Sequence, residues 1–232
     1  AKRKSVRELH VNRTSKAADA NSRTGLWLTA ETLREVAVVR IWWWLPPVIW
    51  PNEEKEIVAL VDRALKKGAQ YFVLNAPWQI ALFKNSRRIK LWAGPFCNIS
   101  NGLAVSELAA VGYSGDIVSP ELGRKDYLML PKQSPLPLGI VISGNWPLCV
   151  ARTLPEKLKT NTPFTSPKGE HAWVITYGAN IWAYPNWIID LKRNTETLKT
   201  AGYSLFVHLR EPIPRKIKMK TRPGLWNWEL GL

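Results

Sequence analysis

The sequence predicts an α/β fold of the TIM-barrel type: a parallel sheet, helices packed outside it, and a β-hairpin inserted near 172–184. Three observations carry that expectation. Strand-like runs recur that are apolar without alternation, as strands buried on both faces are. Helical patterns lie between them. Three helix exits share one form, Lys67-Gly68-Ala69, Val111-Gly112-Tyr113-Ser114 and Ala201-Gly202-Tyr203-Ser204, with Gly where a helix ends left-handed before the next strand. Repeated helix–Gly–strand units mean βα units with right-handed crossovers. An open doubly wound sheet is the alternative, but no glycine-rich phosphate loop follows any strand.

Taken in order, residues 1–24 read as a basic arm or linker. Seven basic residues stand there against Glu8 and Asp19, a net +5. The remaining span, 25–232, reads as the barrel. Its strand-like runs are 38–45 (VVRIWWWL), 71–75 (YFVLN), 89–93 (IKLWA), 116–118, 138–143 (LGIVIS) and 204–209 (SLFVHL), rich in β-branched and aromatic residues. Further runs near 25–29 and 217–226 bring the count towards eight; whether the barrel is complete the sequence leaves open. Glu53 to Lys67 repeats apolar residues at Ile57, Val58, Val61, Ala64 and Leu65, with acids at its start and lysines at its end, matching the helix dipole. Leu103–Val111 and Arg193–Ala201 are further helices.

Residues 147–187 interrupt the rhythm. Pro155, Pro163 and Pro167 punctuate a polar loop, and Tyr177-Gly178-Ala179-Asn180 then joins two short strands as a hairpin. From Arg210 to Arg222, six basic residues face one acid. There Lys216, Lys218 and Lys220 alternate as on an exposed edge strand, where lysine discourages edge pairing, or as a nucleic-acid contact.

Composition narrows the classes. The chain has 232 residues, 33 Lys plus Arg against 18 Asp plus Glu, and a net charge of +15. Ten of those charges lie in 1–24 and 210–222, so the basicity describes the ends more than the middle. Thirteen Trp stand against 5 Phe and 6 Tyr. Two cysteines, Cys97 and Cys149, supply neither a disulfide scaffold nor a Cys-rich metal site, and a reducing, cytoplasmic setting is expected. The densest apolar stretch, Ile41–Trp50, contains Pro46 and Pro47 and is too short to span a bilayer as a helix. An opening Ala1 without Met reads as a fragment of a larger protein, with the preceding half of the same polypeptide as one expected partner and RNA as another.

In a parallel barrel, ligands meet the loops at the carboxyl ends of the strands. Those loops carry Asn75 and Trp78, Asn98 and Asn101, Glu121, and Asn145 and Trp146, with His208 and Glu211 at the last strand. Asn, Ser, Pro and Gly also populate turns for local reasons, but Trp and Glu do not. The expected substrate-binding set is therefore Asn75, Trp78, Asn98, Asn101, Asn145 and Trp146, with Glu121 as the catalytic candidate and Glu211 as its acid–base companion. Lys216, Lys218 and Lys220 are the nucleic-acid candidates. No metal site is expected, and His10, His171 and His208 read as structural or surface residues. Cys97 or Cys149 as a nucleophile beside His208 competes with a plainer reading, a small buried cysteine. Trp42, Trp43 and Trp44, adjacent on one strand, must point to both faces.

Residues 92–152 resemble a known family. Trp92-Ala-Gly-Pro-Phe-Cys-Asn98, the Asn101-Gly-Leu-Ala helix start, Ile117-Val-Ser-Pro-Glu-Leu122 and Gly144-Asn-Trp-Pro-Leu148 are similar in order and spacing to the collagenase-like peptidase family U-32. Asn186-Trp187-Ile188-Ile189-Asp190-Leu191, followed by a helix and Ala201-Gly202, extends the likeness across roughly 70–232. The resemblance implies a TIM-barrel-like fold and the carboxyl-terminal part of a longer bacterial member. It implies either protease activity of unresolved mechanism or kinship with proteins of oxygen-independent hydroxylation of RNA or a quinone, which use a cysteine-bound iron–sulfur cluster. Only Cys149 stands where a cluster cysteine is expected, so the expectation here is no cofactor. A non-catalytic binding or scaffolding half of a larger protein is the competing class.

Overall fold

The computed structural model describes residues 6–15, 23–84, 88–166 and 169–220. Eight strands run parallel and close into a ring: β1 (Arg7–Asn12), β2 (Arg23–Trp27), β3 (Trp42–Trp44), β4 (Tyr71–Leu74), β5 (Lys90–Ala93), β6 (Gly115–Ile117), β7 (Leu138–Gly144) and, after a long insertion, β13 (Leu205–Arg210). Closure occurs between β13 and β1, in register from Arg7↔Leu205 to Asn12↔Arg210. Helices α1 (Ala30–Glu35), α2 (Glu54–Lys66), α3 (Gly102–Ala110), α4 (Arg124–Gln133) and α5 (Thr195–Ala201) lie in the connections. The three glycine exits form as expected, Gly68, Gly112 and Gly202 having φ of 87°, 105° and 123°. None of the described helices is long and apolar enough to cross a membrane.

Side-chain alternation separates the inside of the ring from the helix side. Trp27 of β2 touches Phe96, which follows β5, with ring centroids 6.3 Å apart; its face is therefore the interior. Trp44 shares that face and lies 5.7 Å from Trp27. Trp42, two residues back, stacks on Tyr71 at 5.2 Å and meets Trp92 edge-on at 5.3 Å. Trp43 points to the helix side, where it is fully buried. Three consecutive tryptophans thus fill both layers of the wall.

The insertion between β7 and β13 is a second, antiparallel sheet built from β8 (Cys149–Ala151), β9 (Pro163–Thr165), β10 (His171–Tyr177) and β11 (Asn180–Pro185), in the order β8-β11-β10-β9. A short strand, β12 (Ile189–Asp190), then returns antiparallel to the end of β7. The expected hairpin is the β10–β11 pair, and its turn docks on the barrel. Ala179 donates its backbone N–H to Glu53 Oε1 at 3.1 Å, and the Trp50 indole donates to Asn180 Oδ1 at 3.0 Å. Asn180 Nδ2 donates in turn to the Val48 carbonyl at 3.1 Å.

Two expectations differ from this architecture. Residues 7–12 are not part of an arm: they are the first barrel strand, with Leu9 and Val11 buried and polar residues on the opposite face, a pattern its charged neighbours conceal. Residues 217–220 form no strand; Ile217 is buried and Lys220 donates its N–H to the Asn186 carbonyl at 2.6 Å. The rest of the expected 217–226 strand, and most of the basic arm, lie outside the described residues.

Candidate functional site

The carboxyl ends of the barrel strands converge on one mouth, and the inserted sheet covers it. Arg13, just past β1, reaches Glu211, just past β13: its Nε donates to the two carboxylate oxygens at 2.9 and 3.0 Å. Both side chains are almost wholly buried, at 7% and 5% exposure. The guanidinium also donates to the Tyr184 hydroxyl at 3.2 Å, and the Tyr177 hydroxyl donates to Glu211 at 3.0 Å. Its carbon lies 3.8 Å from the Trp27 ring centroid, 4.0 Å from Tyr177 and 4.4 Å from Trp182. Burial, the largest influence, opposes the guanidinium charge, but Glu211 together with Tyr184 and Tyr177 outweighs it, and Arg13 is held above its ordinary value. Tyr177 and Tyr184 are pushed up, first by burial and then by Glu211, so both stay protonated as donors.

Beside this plug the strand-end residues divide into buried and exposed groups. Asn75 is buried after β4, its Nδ2 donating to the Leu45 carbonyl at 2.7 Å while Gln79 Oε1 accepts from its backbone N–H at 2.9 Å. Its Oδ1 has no hydrogen-bond partner among the described residues. A Cβ at Gly94 would lie 1.9 Å from that oxygen, so only glycine fits opposite it. Asn145 is buried after β7, with its N–H on the Leu209 carbonyl at 3.1 Å and its Nδ2 without a described partner. Trp146 is buried too, stacked on Phe96 at 4.4 Å. Asn75, Asn145 and Trp146 therefore belong to the inner mouth.

Asn98, Asn101, Glu121 and Trp78 lie on an outer rim and are exposed. Asn98 adopts a left-handed backbone, φ 53°, and its Oδ1 accepts from the Ser119 hydroxyl at 3.2 Å. Ser119 Oγ in turn accepts from the Glu121 backbone N–H at 3.2 Å, so the β5 and β6 loops are laced together. Asn101 caps α3, accepting from the Ala104 N–H at 2.9 Å. None of these rim residues lines the groove of about 410 Å³ that runs between the inserted sheet and the tail, bordered by Leu148, Phe164, His171, Pro185, Trp187 and Lys220. Lys216, Lys218 and Lys220 are exposed.

The expected acid–base companion of Glu121 is otherwise engaged, because Glu211 is sealed against Arg13. Nor does His208 face the mouth. It lies on the outer wall, where its Nδ1 and the Ser143 hydroxyl are 2.7 Å apart. Burial first, then His10, Lys192 and Arg210, lowers it to about 4, so the ring is neutral at physiological pH. Cys97 donates its thiol to the Leu74 carbonyl at 3.2 Å and burial pushes it up to about 12, the environment of an inert core thiol. Cys149 is exposed. Two thiols so placed do not make the four-thiolate set an iron–sulfur cluster takes, and that group does not fit the residues of this chain.

The plug is what reading by sequence missed. Arg13 and Glu211 are 198 residues apart, and only register along β1 and β13 sets them side by side.

No family model matches the sequence, and no curated protein matches it either. Among solved structures the chain is similar to that of the U32 peptidase Mk0906, with a TM-score of 0.56 over 90% of this chain and 94% of that one. At 7% identity the likeness is one of fold.

Proposed function

We propose that this chain is a collagenase-like U-32 peptidase-type barrel that acts on polypeptide at its carboxyl-terminal mouth. One observation carries the reading. The segments that resemble the family, 94–98, 119–122 and 144–148, lie together at the ends of the barrel strands β5, β6 and β7, in a fold shared with a U32 peptidase structure. On this reading, the exposed carboxylate of Glu121 takes the proton of a water attacking the peptide carbonyl and returns it to the amine that leaves as the C–N bond breaks, while the amides of Asn98 and Asn145 orient the substrate. The groove between Leu148 and Trp187 offers an apolar surface for its side chains. Digestion of casein and gelatin tests it: cleavage that drops at least a hundredfold in Glu121→Ala supports the reading, and cleavage equal in the two proteins, or absent from both, overturns it.

A second reading rests on the plug. The space where barrel enzymes hold substrate is filled by Arg13, Glu211 and four aromatic rings, as in a non-catalytic half that binds and positions a partner. Peptide binding without turnover, measured by fluorescence of the native tryptophans, is its expected signature. The exposed Lys216, Lys218 and Lys220 support a polyanion contact such as RNA. That contact requires affinity falling steeply with salt, and a flat salt dependence overturns it.

A further inference from the structure

The outer wall of the β1–β13 seam carries a second polar cluster, independent of whatever the mouth does. His10 and His208 are direct partners in the parallel register, and their rings stack at 4.3 Å with planes 6° apart. Glu8 precedes His10 by two residues, so it shares that face of β1. One carboxylate oxygen of Glu8 lies 3.9 Å from His10 Nε2 and 3.8 Å from His208 Nε2. Those separations are too long for hydrogen bonds.

We infer that Glu8, His10 and His208 form a three-ligand site for a divalent cation of the zinc class, clasping the first barrel strand to the last. Two imidazole nitrogens and a carboxylate oxygen, all within 4.8 Å of one another, are the donor set of a zinc site with a fourth, solvent-facing position. Metal–ligand bonds of about 2.1 Å place tetrahedral ligands roughly 3.4 Å apart, so the Glu8 oxygen has about half an ångström to close on each imidazole, and the two imidazoles, within 4.8 Å of each other, have at most roughly 1.4 Å to close. Both Nε2 atoms lie within 3.9 Å of the same Glu8 oxygen, so they flank one point, on which a small tilt of the stacked rings converges their lone pairs; the Glu8 side chain, 60% exposed, has room to follow.

Ser143 is the positioning residue. When its oxygen accepts the Nδ1 proton of His208, the lone pair is left on Nε2, a buried atom without a hydrogen-bond partner among the described residues. Lys192 and Arg210 also face His208. Their positive charge disfavours Ca²⁺ or Mg²⁺, which are held by charge and oxygen ligands, and leaves ions that bind imidazole through strong nitrogen bonds.

The test is titration of the chelator-treated full chain with Co²⁺, then Zn²⁺. The expected result is one Co²⁺ per chain with visible d–d bands, bleached by one equivalent of Zn²⁺, and a Tm raised by Zn²⁺. Glu8→Gln and His10→Gln should each weaken binding at least tenfold, and His208→Asn should abolish it. Ser143→Ala should weaken it roughly tenfold with the stoichiometry kept at one. Glu8 is exposed, so its variant keeps the fold and decides the matter should His208→Asn not fold. Absence of stoichiometric binding overturns the site. So does binding undiminished in both Glu8→Gln and His10→Gln, which would move the metal to other ligands such as Cys149 or His171.

Discussion

The two faces of the β1–β13 seam treat polar side chains in opposite ways. On the mouth side, Arg13 and Glu211 are sealed from water, and each is held by several donors, acceptors and rings. On the wall side, Glu8, His10 and His208 converge without closing to hydrogen-bond distance. A buried pair whose bonds are completed by its own protein has nothing left to offer a ligand. The wall-side contacts of Glu8 stop short of hydrogen-bond distance, and the proposed metal site rests on this gap. The plug is closed to hydrogen-bond distance throughout, whereas the contacts of Glu8 with the two imidazoles are not, and that is the difference between the two faces.

The largest effect should come from breaking the satisfied side. Arg13→Ala leaves Glu211 buried beside two tyrosines without its cation, and unfolding in urea should register a loss of about 3–5 kcal/mol. Arg13→Met combined with Glu211→Met should recover most of that loss, because removing both charges removes the burial cost as well. If the double variant is no better than the single, the pair is more than a structural plug.

Asp116 sharpens the comparison. It points away from the barrel interior on β6, fully buried, and neither carboxylate oxygen has a hydrogen-bond partner among the described residues. Burial raises it well above its ordinary value. As pH rises from about 4 the unfolded chain therefore ionises at this position before the folded one, and stability falls with rising pH until the folded carboxyl ionises too. Asp116→Asn should match the parent near pH 4 and exceed it at pH 8 by about 1–3 kcal/mol, read from thermal melts across pH. A parallel pair of curves would mean that Asp116 finds partners in solution.

Smaller effects lie at the cover and the rim. Asn180→Ala removes the two hydrogen bonds that dock the hairpin on 48–50, at a cost of about 1–2 kcal/mol, with faster proteolysis between β10 and β11 as the local readout. Glu121→Ala, exposed on the rim, should change stability by less than about 0.5 kcal/mol. A larger loss would make Glu121 part of the framework rather than of a site.

Much of this fold is legible locally. The apolar runs at 71–75, 89–93 and 138–143, the α2 periodicity and the glycine exits each report their own conformation within a dozen residues. What stays hidden is non-local. β1 carries only Leu9 and Val11 as buried apolar residues amid charge, so nothing in its own composition marks it as a barrel strand. α4 is equally hidden, because its mixed Arg-Lys-Asp start and internal Pro131 blur its period. At the candidate site, the strand-end residues could be read off in order, but not which were buried. Asn75 and Asn145 turn inward while Asn98 and Asn101 stay on the rim, a difference made by strand register and by the covering sheet. Glu211 reads from its strand end as an acid–base companion of Glu121, and nothing local marks it as the partner of Arg13.

The ring closes between strands whose paired residues, Arg7 and Leu205, are 198 positions apart. On a ribosome adding about 5–20 residues per second, β1 therefore emerges roughly 10–40 seconds before its partner exists. Through that interval one edge of β1 offers unpaired N–H and C=O groups to any passing strand. Charged and imidazole side chains along that edge, Arg7, Glu8 and His10, guard it against wrong pairing while the rest of the barrel is made.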